Sequence, residues 1–86
     1  GSSLLPLTVN GNYIPGQITI SCSLPSAGPY ELAVYDIMGR NIRQETIIAK
    51  AGQSQHTIDR LYLQPGMYVV KLSGERTYGY AKTTVY

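Results

Sequence analysis

Leu63-Gln64-Pro65-Gly66-Met67-Tyr68-Val69-Val70-Lys71-Leu72 is the stretch whose reading decides the fold. Pro65 pre-sets φ near ~−65° at the second position of a turn, and Gly66 tolerates the positive φ that a type II turn needs at the third. The Met, Tyr, Val and Leu that follow carry the β-branched and aromatic bias of a strand. A strand launched so abruptly, and apolar at nearly every place, is expected at the centre of its sheet. Upstream segments then pack on it, and one hairpin partner lies downstream.

After Leu72, Ser73-Gly74-Glu75-Arg76 reads as a tight hairpin turn and residues 77–86 as the last strand. Ala81, Thr83 and Val85 are expected inward, with Tyr80 and Lys82 outward. Upstream, residues 17–24 alternate strictly. Ile18, Ile20, Cys22 and Leu24 share one face, and Gln17, Thr19, Ser21 and Ser23 the other. Residues 30–35 form the next strand, with Tyr30, Leu32 and Val34 inward. Asp36-Ile37-Met38-Gly39-Arg40 has Asp first and Gly fourth, which suits a type I turn closed by a left-handed glycine. Residues 41–48 return as its partner. Ile42 and Ile47 have opposite parity there, so an edge strand with a bulge is expected. Residues 49–53 read as a loop, and residues 54–59 as a short polar strand anchored by Ile58. Near the start, residues 4–9 read as a short strand that Pro6 confines to an edge. Asn10-Gly11-Asn12 and Pro15-Gly16 read as turns. Gly1-Ser2-Ser3 reads as a cloning remnant, leaving residues 4–86 as one domain. About seven short strands with turn signals between them predict an all-β, immunoglobulin-like antiparallel β-sandwich.

Composition narrows the function. Of the 86 residues, 14% are charged, well under the roughly 25% of soluble domains. The net charge of +2 is spread along the chain without a Lys/Arg cluster, which argues against a nucleic-acid partner. The eight Tyr, with no Trp or Phe, fit a half-wet sandwich surface on which rings bury and hydroxyls reach water. The single Cys22 allows no internal disulfide and reads as a small buried apolar residue. No apolar run approaches the ~18 residues of a membrane span.

Little in the chain carries chemistry. Ser54, His56 and Asp59 could be grouped as a Ser-His-Asp set. A working triad needs a buried carboxylate behind the base and a nucleophile on a strained turn beside an oxyanion hole, and none is legible. A solvated polar strand is the expected reading. His56 has no second His or Cys at ligand spacing, so no metal and no cofactor is expected. Tyr78 and Tyr80, with Tyr86 in the same parity, could form a sugar-stacking platform. Cross-strand packing on an outer sheet face is the plainer expectation.

Leu32-Ala33-Val34-Tyr35-Asp36-Ile37-Met38-Gly39-Arg40, the Ala51-Gly52 loop, residues 63–72, and a terminal strand bearing Lys82 occur in one order. That order resembles the type A C-terminal sorting domain of the type IX (Por) secretion system, whose hallmarks are a "VYDxxGR" hairpin and an "LPxGxYxxxl" strand. The resemblance covers residues 18–86. It departs at Gln64-Pro65-Gly66, which lacks the residue the family often places between Pro and Gly.

The resemblance implies a C-terminal domain of a larger exported protein from a Bacteroidetes-type Gram-negative bacterium. Its partners would be the upstream cargo domains and a translocon receptor in the periplasm or outer membrane, and its destination the cell surface or the medium. Asp36, Gly39, Arg40, Pro65, Gly66 and Tyr68 are expected to build the turns. Lys71, Lys82, Thr83, Thr84, Val85 and Tyr86 are the recognition candidates, because a C-terminal edge strand can be read by strand addition. The alternative is a carbohydrate-binding or spacer module of a surface enzyme, with Tyr78 and Tyr80 as its ligand face.

Overall fold

Eight strands succeed one another in the computed structural model, which describes residues 5–86: β1 (Leu5–Pro6), β2 (Val9–Ile14), β3 (Gly16–Leu24), β4 (Gly28–Asp36), β5 (Asn41–Ala49), β6 (Gly52–Leu61), β7 (Gly66–Ser73) and β8 (Thr77–Val85). They form a five-stranded sheet in the order β1-β8-β7-β4-β5 and a three-stranded sheet in the order β2-β3-β6. All pairings are antiparallel except that of β1 with β8, which is parallel and two residues long. The seven longer strands make the expected immunoglobulin-like sandwich. Gly1-Ser2-Ser3 and Leu4 lie outside the described residues.

The strand opened by Pro65-Gly66 is β7, at the middle of the larger sheet. Val70 and Leu72 on β7 face Leu32 and Val34 on β4, and Ile18, Ile20 and Ile58 close over them from the smaller sheet, all essentially fully buried. Burying each such side chain contributes about 1.5–3 kcal/mol. Cys22 lies in the same core, and burial pushes its thiol pKa up. On β3 the expected face of Ile18, Ile20, Cys22 and Leu24 is the buried one, as is that of Tyr30, Leu32 and Val34 on β4. β5 is an edge strand with a bulge. Val34 pairs with Arg43 and Tyr35 with Asn41, so Ile42 is the extra residue that resolves its parity.

Three local readings are corrected. Asn10-Gly11-Asn12 is not a turn but the middle of β2, paired with β3 throughout. Gly11 is there for close approach, since a Cβ would stand 2.8 Å from Thr83 Oγ1 on β8. The loop expected at 49–53 shrinks to Lys50 and Ala51, because β5 and β6 run longer than their patterns suggested. The Pro65-Gly66 turn is not type II. Gly66 has φ +152°, far from the ~+80° that type requires.

Tyrosines replace that turn chemistry. Tyr68 Oη donates to the Gln64 carbonyl at 2.7 Å, and Tyr30 Oη donates to the Ser26 carbonyl at 2.6 Å. In both, a glycine two residues before the ring has φ near +150°: Gly66 at +152° and Gly28 at +150°. The same tyrosine-cornered start therefore launches β4 and β7. A third ring, Tyr13, ties the β2–β3 hairpin to the end of β6. Its hydroxyl donates to Leu61 O and accepts from Leu63 N, both at 3.2 Å. These hydroxyls end on backbone, where the composition suggested water.

Candidate functional site

The strand register brings the sequence motifs to one end of the five-stranded sheet. Asp36 pairs with Tyr68 and Tyr68 with Thr83, so three strands contribute one row. Two residues further out Gly66 faces Val85. The Asp36–Arg40 hairpin tip, the Pro65-Gly66 turn and the last residues of the chain are thus neighbours. A shallow groove of about 390 Å³ lies there, with Asp36, Arg40, Tyr62, Leu63, Gln64 and Tyr68 on its walls.

Asp36 organises the hairpin tip. Its Oδ1 accepts the backbone N–H groups of Met38 and Arg40, both at 2.9 Å, and its Oδ2 accepts Arg40 Nε at 2.7 Å. Gly39 donates its N–H to Asp36 O at φ +84°, the expected left-handed position. The Arg40 backbone N–H is the main cause that holds the Asp36 carboxyl below its ordinary pKa. Burial opposes it, and the Arg40 guanidinium and the Met38 N–H reinforce it. The Arg40 side chain is otherwise exposed.

On the last strand the recognition candidates divide by face. Thr83 and Val85 point inward and are buried, whereas Lys82, Thr84 and Tyr86 are exposed. Lys71 on β7 is exposed on the same outer face and pairs with Tyr80. Val69 pairs with Lys82, so the two lysines are diagonal neighbours. Neither forms an ion pair among the described residues. Tyr78 and Tyr80 also face outward, with ring centroids 6.4 Å apart and planes tilted by 32°. Lys82 and Thr84 separate them from Tyr86.

The Ser54, His56 and Asp59 grouping does not assemble. Ser54 and His56 share the inner face of β6, but Asp59 has the opposite parity and is exposed. The carboxylate nearest His56 is Glu45 on β5, with Oε1 3.6 Å from Nε2. His56 Nε2 is buried without a hydrogen-bond partner, whereas Gln55, Thr57 and Asp59 on the opposite face are exposed, so β6 is the expected polar strand, solvated on its outer face and anchored by Ile58. No three His, Cys, Asp or Glu side chains gather as a metal site among the described residues.

Two features escaped sequence reasoning. The Tyr30 corner carries a signal that could have found it, since Gly28-Pro29-Tyr30 repeats the Gly-x-Tyr of Gly66-Met67-Tyr68. The other is Arg43, which donates to the carbonyls of Asp59 at 3.1 Å and Arg60 at 2.9 Å. It clasps the edge of one sheet to the edge of the other at a bulge where Arg60 has φ +57°. No local pattern announces that contact.

No curated protein matches the chain. The family model described as the secretion system C-terminal sorting domain matches residues 12–85. That span takes in six whole strands, β3 to β8, with the second half of β2, both motif turns and all but the last residue of the converging end, and the chain belongs to this family, the C-terminal sorting domains of the type IX secretion system.

Proposed function

We propose that this domain is the signal by which a larger exported protein is recognised in the periplasm, passed through the type IX outer-membrane translocon and delivered to the cell surface or the medium. It performs no chemistry of its own. The observation that carries this reading is the convergence of Asp36, Gly66, Tyr68 and the end of β8 at one end of the sheet. The family's hallmark residues there hold turns and anchor strands, leaving Lys71, Lys82, Thr84 and Tyr86 as the outward groups a receptor could read. Thr83 and Val85 support them from beneath.

The test fuses the domain to the C-terminus of a fluorescent reporter that carries a signal peptide. Expression is compared in a host with type IX secretion and in the same host without the translocon. Reporter outside the cell only in the competent host supports the reading. Reporter retained in the periplasm of both rejects it, and a ligand for the Tyr78–Tyr80 face then becomes the better description of the domain.

A further inference from the structure

We infer that the end of the sandwich where the motif turns meet is a lipid-contacting apex, which inserts the Ile37-Met38 tip of the β4–β5 hairpin into a bilayer surface. This contact goes beyond the sorting role and does not depend on it.

The distribution of exposed apolar side chains is the first support. Nine large ones are exposed among the described residues, and seven of them lie at this end, leaving only Ile48 and Tyr80 elsewhere. Ile37 and Met38 occupy the hairpin tip itself and are 75% and 78% exposed. Ile42 and Tyr62 stand on the walls of the groove beside it. The turns at the opposite end, Ser26-Ala27-Gly28, Lys50-Ala51 and Gly74-Glu75-Arg76, are small or charged. Apolar surface gathered in one exposed place marks contact with another molecule or a membrane.

The apex is also held in shape before anything binds. Asp36 ties the hairpin tip through the backbone N–H groups of Met38 and Arg40. The Tyr13 hydroxyl holds Leu61 and Leu63, on either side of Tyr62. The Tyr62 ring lies against Gly16 at the start of β3, where a Cβ would stand 3.2 Å from its Cε1. Tyr62 is 82% exposed, and an apolar ring with a polar tip suits the boundary between headgroups and acyl chains.

Size and charge choose the occupant. The body measures 39 × 23 × 18 Å. Strands of nine residues at ~3.3 Å per residue span about 30 Å and so follow the longest axis. The end face is therefore 23 by 18 Å, roughly 400 Å², half of the ~800 Å² that each partner buries in a stable protein interface. A bilayer needs no matched surface of that size, because binding scales with the apolar area that enters it. The charges at this end offset one another. Asp36 is paired with Arg40, and Asp59 stands beside Arg60 near the end of β6. An uncharged headgroup surface is therefore sufficient.

The experiment mixes the 86-residue chain with vesicles of phosphatidylcholine alone and of phosphatidylcholine with phosphatidylglycerol, and reads binding by sedimentation. Both are expected to bind. A spin-labelled lipid in the same vesicles should broaden the methyl signals of Ile37 and Met38 and spare that of Ile48. An Ile37→Ser, Met38→Ser double variant should lose at least about tenfold in affinity, the scale of two apolar side chains leaving a bilayer. Its thermal midpoint should hold, because both side chains are exposed. Ile48→Ser removes an apolar side chain that is 81% exposed at another place and should bind as the parent does. No binding, a requirement for phosphatidylglycerol, broadening centred away from the hairpin tip, or an equal loss in Ile48→Ser overturns the inference. Self-association of the chain that disappears in the double variant would assign the apex to a second copy and overturn it as well. The two readings fail separately. Vesicle binding without reporter export removes the sorting role and leaves the lipid contact, whereas export without vesicle binding does the reverse.

Discussion

Tyr68 donates its hydroxyl to the carbonyl of Gln64, four residues behind it, at 2.7 Å. This bond replaces the turn hydrogen bond that Pro65-Gly66 would otherwise make. It fixes the angle at which the chain enters the central strand, and Tyr30 fixes the start of β4 in the same way. Tyr30 and Tyr68 rings are both buried, so each corner joins a packed core to a surface loop. The sheet is thereby pinned at both ends by one device used twice.

Removing either hydroxyl should lower stability without altering the fold. Gln64 and Ser26 are exposed, so their freed carbonyls can take water and the loss stays near one net hydrogen bond, about 1 kcal/mol. In a domain of this size that shifts the melting midpoint by about 4–8 °C. The two corners lie about 20 Å apart along β4 at ~3.3 Å per residue, too far to share partners. Tyr30→Phe plus Tyr68→Phe should therefore lower the midpoint by the sum of the single effects. A double variant no worse than either single would show that the corners act as one unit. Truncation to Ala should cost about 3–5 kcal/mol through the cavity it leaves.

Arg43 and Arg60 pull in opposite directions, and substitution should reveal it. Arg60 is the one non-glycine residue of the described chain with positive φ, +57°, a conformation that costs a side chain about 1–2 kcal/mol. Arg60→Gly should raise the melting midpoint by a few degrees. Arg43→Met keeps the apolar stem but loses both donors to the Asp59 and Arg60 carbonyls. It should destabilise by about 1.5–3 kcal/mol, the range for hydrogen bonds from a charged donor. Amide exchange should rise at the end of β6 before it rises in β7. Uniform loss of protection would mean that the clasp is no weaker than the core it closes.

The hairpin tip should weaken in acid. The Asp36 carboxyl is held below its ordinary value, chiefly by the Arg40 backbone N–H, so its folded pKa is lower than its unfolded one. A depressed carboxyl contributes its full stability above the unfolded value of ~3.9 and loses it as pH falls through the folded value. Asp36→Asn keeps an acceptor in the turn but removes the charge. The difference in melting midpoint between the two proteins should be constant from neutral pH to about pH 5 and shrink below about pH 4. A constant difference down to pH 2 would exclude ionised Asp36 as the source.

The strands were legible where one face is apolar throughout, as on β3, because period-two alternation is local and burial enforces it. The Asp36–Gly39 turn was legible for the same reason: its bonds close within five residues. What was hidden depends on partners distant in sequence. Gly11 looks like a turn glycine until β8 is laid over it. Arg60 looks like any charged residue until Arg43 caps its carbonyl from the other sheet. The recognition candidates at the chain end were found from the family motif, and the parity of the last strand placed Thr83 and Val85 inward and Lys82 outward, as the structure has them.

That parity yields the last prediction. Deleting residues 83–86 would remove the buried Thr83 and Val85 along with the exposed Thr84 and Tyr86, so lost export could reflect a weakened fold. Substitution by face separates the two causes. Val85→Ala empties part of the core and should cost about 1–3 kcal/mol, lowering the midpoint while leaving the outward surface unchanged. Thr83→Val should be neutral or stabilising. Thr83 Oγ1 is buried without a hydrogen-bond partner, and an apolar isostere relieves that cost of about 1 kcal/mol or more. Lys82→Gln, Thr84→Ala and removal of Tyr86 should leave the midpoint within about 0.5 kcal/mol, as surface changes generally do. If a receptor reads the outer face, the reporter fusion should lose export with the outward set and keep it with Thr83→Val. Export that instead tracks the melting midpoint, whichever face is changed, would mean that the translocon requires a folded sandwich and reads no residue on this strand.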